Sequence, residues 1–343
     1  MNDRPTVPIR LNPGKLPGPL LARLLATYAA TKDEDLIVAP GYGRDAAAIR
    51  IGGESLIVKS DPITFATEGA ARYLVAVNAN DIACLGGIPR WLSVVALLPE
   101  TTSTEDSVER LFEELQQACA AAGVALIGGH TEVTLGLDRP ILVGTMLGTA
   151  GPTGLLHPGR ARSGDDLFVC KWVGIEGTAL LAREHAETLR PVLGEDIVRT
   201  AAKLLRSPGI GIAHDAEIVL ASGYVHALHD PTEGGIATAI HEIAEASALG
   251  ADIDMESIPV LPETRILCDH YGIDPLGLLS SGALLIAADP AGRQELERIA
   301  FGSGVPLSWI GRLVPALEGI TMIGPHGRTP IPRFDADEIT RIL

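Results

Sequence analysis

The chain has 343 residues, enough for one large or two ordinary domains, and 46% of them are apolar but only 4% aromatic, so a sizeable aliphatic core is expected. An excess of 43 acidic over 27 basic residues argues against nucleic acid as a main partner and suits a protein that recruits cations. Four scattered cysteines (Cys84, Cys119, Cys170, Cys268) offer no zinc cage, the N-terminus has no apolar signal core, and no apolar run reaches the roughly 18 residues of a membrane span; the expectation is a cytoplasmic protein in a reducing compartment, with no membrane partner.

Residues 1–32 read as a proline-dotted arm followed by a helix over Leu16–Thr31, with Leu20, Leu21, Leu24, Leu25 and Tyr28 on one face. A first domain is expected over 33–150. It begins with a short strand at Leu36–Pro40, then strands at Ala46–Ile51 and Ser55–Ser60 joined by Gly52-Gly53, with Asp61 at the end of the second. Thr67–Leu85 reads as a helix with Ala71, Leu74, Asn78, Ile82 and Leu85 on one face; Asp81 lies one turn after Asn78, and Gly86-Gly87 stops the helix.

Asp45, Asp61 and Asp81 all stand in apolar surroundings, where a carboxylate is costly unless paired or metal-bound. Two such charges about 4 Å apart repel by roughly 4 kcal/mol at an effective dielectric near 20. Singly, each reads as a turn or helix cap. Together they read as ligands for a hard cation such as Mg²⁺, which prefers oxygen donors and keeps substrate phosphates in its shell.

Trp91–Leu98 is a nearly continuous apolar run, expected as a strand buried on both faces. Glu105–Ala122 is an amphipathic helix with Val108, Leu111, Phe112, Leu115, Ala118, Cys119 and Ala122 in its stripe and Thr104 as N-cap. A strand at Val124–Ile127 runs into Gly128-Gly129-His130-Thr131-Glu132. There His130 and Glu132 either face a ligand or belong to an ordinary hairpin turn. Ile141–Thr149 returns as a strand, and the glycine-rich stretch Gly148–Gly164 reads as a linker into a second domain over 151–343.

The second half opens with a strand at Asp166–Trp172 and helices at Gly177–His185, Glu195–Leu205 and Ile210–Ser222. A short strand then ends in Asp230-Pro231-Thr232, and Gly234-Gly235 opens a helix carrying Ile236, Ile240, Ile243 and Ala244. Such a helix start suits phosphate, although no GK[ST] follows as in a P-loop. His226 and His229 read as structural histidines. The Ser280-Ser281-Gly282 turn feeds an apolar strand, with further strands at Ser308–Leu313 and Gly319–Ile323 and a closing helix at Asp335–Leu343. Both halves mix strands and helices, so the fold class is α/β.

Taken in order, Gly43-Arg44-Asp45-Ala46-Ala47, Ser60-Asp61, Asn80-Asp81 with Gly86 and Pro89, Gly128-Gly129-His130-Thr131, and Asp230-Pro231-Thr232-Glu233-Gly234-Gly235 resemble the AIR synthase superfamily over roughly residues 36–290. The Asp-Pro-Thr-x-Gly-Gly stretch and Gly272-Ile273-Asp274-Pro275-Leu276 resemble its hydrogenase-maturation HypE branch. The resemblance implies a two-domain fold and a homodimer in which the two N-terminal sheets pair into a barrel. It implies ATP and Mg²⁺ between the domains, with Asp45, Asp61, Asp81 and Asp230 on the metals.

It further implies Arg44, Lys59, Asn78, Gly128, Gly129, Thr131, Thr232, Gly234 and Gly235 around the nucleotide, and His130, Glu132 and Asp230 as catalytic groups. The implied reaction phosphorylates a carbonyl or amide oxygen of a small-molecule or protein-borne substrate. The alternatives are a non-catalytic nucleotide-binding maturation scaffold and a kinase similar to thiamine-monophosphate kinase. Three positions depart from the HypE branch: Arg44 replaces an acidic residue, His130 an aspartate and Glu132 a lysine. The last cysteine is Cys268, so a reaction without that branch's C-terminal cysteine acceptor is expected.

Overall fold

The computed structural model describes Leu11, Leu16 and residues 18–29, 33–41, 44–64, 69–157, 159–325, 327–334 and 336–342. Most of the expected arm, Gly43, and the expected start of the Thr67–Leu85 helix lie outside the described residues.

The first domain is a six-stranded sheet with helices on one side. Its strands are β1 (Leu36–Val38), β2 (Ala47–Ile51), β3 (Glu54–Ile63), β4 (Gly87–Pro99), β5 (Ala125–Thr134) and β6 (Ile141–Ala150), in the order β1-β2-β3-β6-β4-β5. Only β4 and β5 run parallel. Gly52 and Gly53, at φ +59° and +100°, form the two-residue turn between β2 and β3. β3 runs on to Ile63, so Asp61 lies within a strand, not at its end, and shares a face with Lys59.

Helix α1 (Gly18–Tyr28) has no fully buried residue; its stripe residues Leu20, Leu21, Leu24 and Leu25 are half-buried and Tyr28 is exposed. Helix α3 (Glu105–Ala121) starts as expected. Thr104 Oγ1 accepts from the Ser107 N–H at 3.2 Å, and Ser107 Oγ accepts from the Thr104 N–H at 2.8 Å. Helix α2 (Ala70–Cys84) differs from its expected one-sided stripe: it is buried all round, including Asn78, Asn80 and Asp81. One flank (Leu74, Val75, Ile82) packs on the sheet, while Tyr73, Ala83 and Cys84 pack into the second domain.

Because α2 and α3 cover one side only, β4 buries Leu92, Val94, Ala96 and Leu98 and leaves Ser93, Val95 and Leu97 half-covered. The expected two-sided burial of Trp91–Leu98 therefore holds for one face. β5 extends through Gly128–Glu132, which is strand and not a loop, and is exposed almost throughout.

The second domain is a seven-stranded sheet of β7 (Asp166–Cys170), β8 (Val225–His229), β9 (Leu249–Asp254), β10 (Leu284–Ala288), β11 (Leu307–Pro315), β12 (Ile320–Gly324) and β13 (Gly327–Pro330), ordered β13-β12-β9-β11-β7-β10-β8. Its helices are α4 (Ile175–Glu184), α5 (Ala186–Leu193), α6 (Glu195–Lys203), α7 (Ala213–Leu220), α8 (Gly235–Ala246), α9 (Pro262–Tyr271) and α10 (Arg293–Gly302). β7 and β10 are buried along their whole length because α8 covers one face and α7 with α10 the other. The C-terminal segment makes only a 3₁₀ turn, Glu338–Arg341. No described helix is long and apolar enough to cross a membrane.

Candidate active site at the domain seam

The site is built where α2 meets β3 on one side and the end of β8 on the other. Lys59 Nζ lies 2.9 Å from Asp81 Oδ2 and 3.2 Å from Asp61 Oδ2. Burial opposes the ammonium charge, but Asp81 and Asp61 outweigh it and raise the Lys59 pKa, so the side chain stays charged. Asn78, expected at the nucleotide, is spent on the scaffold. Its Oδ1 accepts from the Asp61 N–H at 3.1 Å, its Nδ2 donates to Leu74 O at 2.9 Å, and the residue is fully buried.

The second domain contributes His229 and Asp230. His229 Nδ1 is 2.9 Å from Asp45 Oδ2, and its Nε2 is 2.8 Å from Glu242 Oε2 on α8. Burial works against the charged ring, yet the two carboxylates prevail and raise its pKa well above the usual value, so both nitrogens donate as an imidazolium. Burial first, then the Asp45 carboxylate, raise the pKa of Asp230, against the opposing pull of His229 and Lys59; burial and Asp230 raise that of Asp81. Cys84 donates weakly to Asp230 Oδ1 at 3.9 Å, and burial holds its thiol protonated.

Five carboxylates (Asp45, Asp61, Asp81, Asp230, Glu242) thus share two cations, Lys59 and His229. One ammonium at about 3 Å supplies roughly 5 kcal/mol of attraction per contact at an effective dielectric near 20, too little to balance the set. Ligand atoms of Asp45, His229 and Asp230 lie within 4.8 Å of one another, and Asp230 Oδ2 is buried with no hydrogen-bond partner among the described residues. Such an oxygen-rich, electron-rich set fits Mg²⁺ and the phosphates it carries.

Several expected residues sit elsewhere. The Gly234-Gly235 helix start is already filled by the protein's own Asp337, whose Oδ2 accepts from the Gly234 N–H at 2.7 Å and whose Oδ1 accepts from Leu279 and Ile339. Gly235 is there for packing, since a Cβ would come 2.4 Å from Leu276 O. Thr232 lies in the same turn and its carbonyl accepts from the Gly235 N–H. Arg44 is exposed and donates to Ala39 O at 2.8 Å, not toward the carboxylates.

His130 and Glu132 are exposed and paired with each other at 3.0 Å. They register with Val95 and Leu97, on the half-covered face opposite α2. Asp61 registers with Gly144, Gly144 with Val94, and Val94 with Gly129, so Gly128, Gly129 and Thr131 sit three strands from Asp61, roughly 14 Å away at the usual strand spacing. Gly129 is needed where it is because a Cβ would overlap Val94 O. His229 and Glu242 are the members that sequence reasoning did not place in the site. Only the adjacency of His229 to Asp230 pointed to the first, and nothing in the pattern of α8 marked the second.

Fold and site together define a two-domain α/β protein with an acidic, cation-seeking seam. The chain belongs to the AIR synthase related protein family: the family's N-terminal domain matches residues 43–150 and its C-terminal domain residues 162–322. It is 32% identical to carbamoyl dehydratase HypE of Rhizobium leguminosarum bv. viciae over 262 residues, 73% of this chain and 70% of that protein. It is 29% identical to carbamoyl dehydratase HypE of Escherichia coli K12 over 80% of this chain and 81% of that one. In fold it resembles HypE in a HypE–HypF complex, with TM-score 0.73 at 20% identity over 92% of this chain and 100% of that one. It also resembles HypE in complex with ATP, with TM-score 0.68 at 23% identity over 94% and 96%.

Proposed function

We propose that this chain is an ATP- and Mg²⁺-dependent enzyme of the HypE type that activates a carbonyl or amide oxygen by phosphorylation. The observation that carries the reading is the meeting of Asp45, Asp61 and Asp81 from one domain with Asp230 from the other, around the two cations Lys59 and His229. The HypE relatives are named carbamoyl dehydratases, and a HypE of the same fold binds ATP.

Magnesium-ATP, when bound, supplies the phosphoryl group and the charge that neutralises it. Asp45, Asp61, Asp81 and Asp230 would hold the metal. Lys59 pairs with Asp61 and Asp81 and aligns them, and the His229–Glu242 pair fixes Asp45. Asn78 anchors the Asp61 backbone. Phosphoryl transfer needs positioning more than a covalent nucleophile, and these side chains supply positioning. The half-covered sheet face carrying Val95, Leu97, Val143 and Leu147 supports a homodimer formed through the first domain, with a small-molecule or protein-borne acceptor.

Calorimetric titration with ATP, with and without Mg²⁺, tests the proposal. Metal-dependent binding is expected, weakened at least tenfold in Asp61→Asn, together with ADP release that Asp81→Ala abolishes. Binding indifferent to metal and to Asp61 would overturn it, and binding without ADP release would leave a non-catalytic nucleotide-binding scaffold.

A further inference from the structure

The second domain carries a basic cleft that the seam does not use. Helix α6 packs against α4 and α5, and between them lies a hollow of about 350 Å³. Five cations line it against one carboxylate, Glu195: Arg183 comes from α4, Arg190 from α5, Arg199 and Lys203 from α6, and Arg206 from the Leu205–Gly209 turn. Glu195, Arg199 and Lys203 stand four residues apart, so α6 turns one charged face into the hollow. A Cβ on Gly69 would come 3.9 Å from Arg183 Nη2, so the hollow adjoins the start of α2. Asp81 lies twelve residues further along that helix, about 18 Å at 1.5 Å per residue.

Such crowding of like charge is unfavourable by itself. Arg199 and Lys203 are cations at i and i+4, an arrangement that weakens a helix. The ion pairs at the rim are Arg190 with Glu195 at 3.0 Å and Arg199 with Asp196 at 2.6 Å, all four side chains at least half exposed, and exposed pairs hold their partners weakly. Lys203 and Arg206 make no ion pair with a described residue. The chain as a whole has a formal net charge of −16, so a concave patch of five cations runs against its general surface. Ala182, Val198 and Ala202 form a small apolar floor that leaves room between the charged side chains.

We infer that this cleft binds a free small molecule carrying two phosphate groups. Four of the five cations are arginines, whose planar forks match phosphate oxygens two at a time. Two phosphate monoesters carry roughly −3 to −4 at pH 7, which answers the cations that Glu195 leaves over; a single carboxylate answers one. The volume lies at the small end of ligand pockets and holds one such molecule. The cleft differs in kind from the seam. There carboxylates need a metal ion to bring phosphate in, whereas here side-chain cations meet it directly.

The test is calorimetric titration of the full chain with pyrophosphate in metal-free buffer, where the acidic seam has no cation to recruit the anion. Saturable binding at one site per chain is expected, with orthophosphate at least tenfold weaker. Lys203→Ala and Arg206→Ala, both at exposed positions, should each weaken pyrophosphate binding about tenfold, the loss of one charge-assisted contact. Arg110→Ala, at an exposed arginine of α3, should leave it unchanged. In the wild-type chain, pyrophosphate should shift the NMR amide signals of Arg199–Arg206 and not those of Asp61 or Asp81. No saturation, several weak sites per chain, or an equal loss in Arg110→Ala would reduce the effect to diffuse surface charge and overturn the proposal. Shifts at Asp61 and Asp81 instead would move the anion to the seam and overturn it as well. Binding of polyglutamate without binding of pyrophosphate would make the face a dock for an acidic protein, which also overturns it.

Discussion

Removing the Lys59 ammonium leaves Asp61 and Asp81 facing each other without a counter-ion, with Asp45 close behind. Breaking a buried ion pair from one side costs about 3–5 kcal/mol, so Lys59→Met should lower unfolding free energy by that order. Millimolar Mg²⁺ should restore part of the loss, because it supplies the missing positive charge. Urea denaturation with and without MgCl₂ measures both, and a variant as stable as wild type would sink the electrostatic account. Glu176 gives a pH signature. Burial pushes its pKa to about 7, above the ordinary 4.5, so the folded chain keeps a proton that the unfolded chain has lost between those values. This contribution to stability is present in full below pH 4.5 and disappears as pH rises to about 7, a loss of about 3 kcal/mol at roughly 1.4 kcal/mol per unit. In Glu176→Gln the pH 4.5–7 slope of stability should flatten by that amount.

Helix α2 is the element that joins sheet, seam and second domain. Asn80, beside Asp81, donates to Ile210 O at 2.9 Å and accepts from the Ile212 N–H at 2.8 Å. The same loop is gripped from its own domain by Lys171, whose Nζ reaches Gly211 O at 2.6 Å and Asp215 at 3.0 Å. Asn80→Ala strips the partners from two backbone groups, a cost of about 3 kcal/mol. It should also loosen Asp81 against Asp230, so ATP affinity should fall along with the denaturation midpoint. A midpoint shift with unchanged ATP affinity would confine Asn80 to stability. By contrast, Thr104→Ala at the α3 cap should cost about 1 kcal/mol in a melting curve and leave nucleotide binding alone. The two helices differ in the same way as sequences. α3 has one wet face, so its stripe and cap were legible; α2 is buried on nearly every side, which a single one-faced stripe does not convey, because the second domain that covers its other faces comes from distant sequence.

At the scale of the whole molecule, the first sheet has helices on one side and a half-covered apolar face on the other. If that face pairs two chains, light scattering should report twice the chain mass, and Val95→Glu with Leu147→Glu should reduce it to one. A wild-type chain that stays monomeric would remove the homodimer from the proposal.

The mixed strand-and-helix order, the α3 and α8 stripes and the acidic residues in apolar settings followed from the sequence, because period, capping and the cost of a buried charge are local properties. Which charges meet is not local. Asp45 and His229 are 184 residues apart, and only packing brings them to 2.9 Å. Packing also decided that Asp337 fills the Gly234 helix start and that His130 and Glu132 face away from Asp61, since strand register and burial exist only once the sheets have formed.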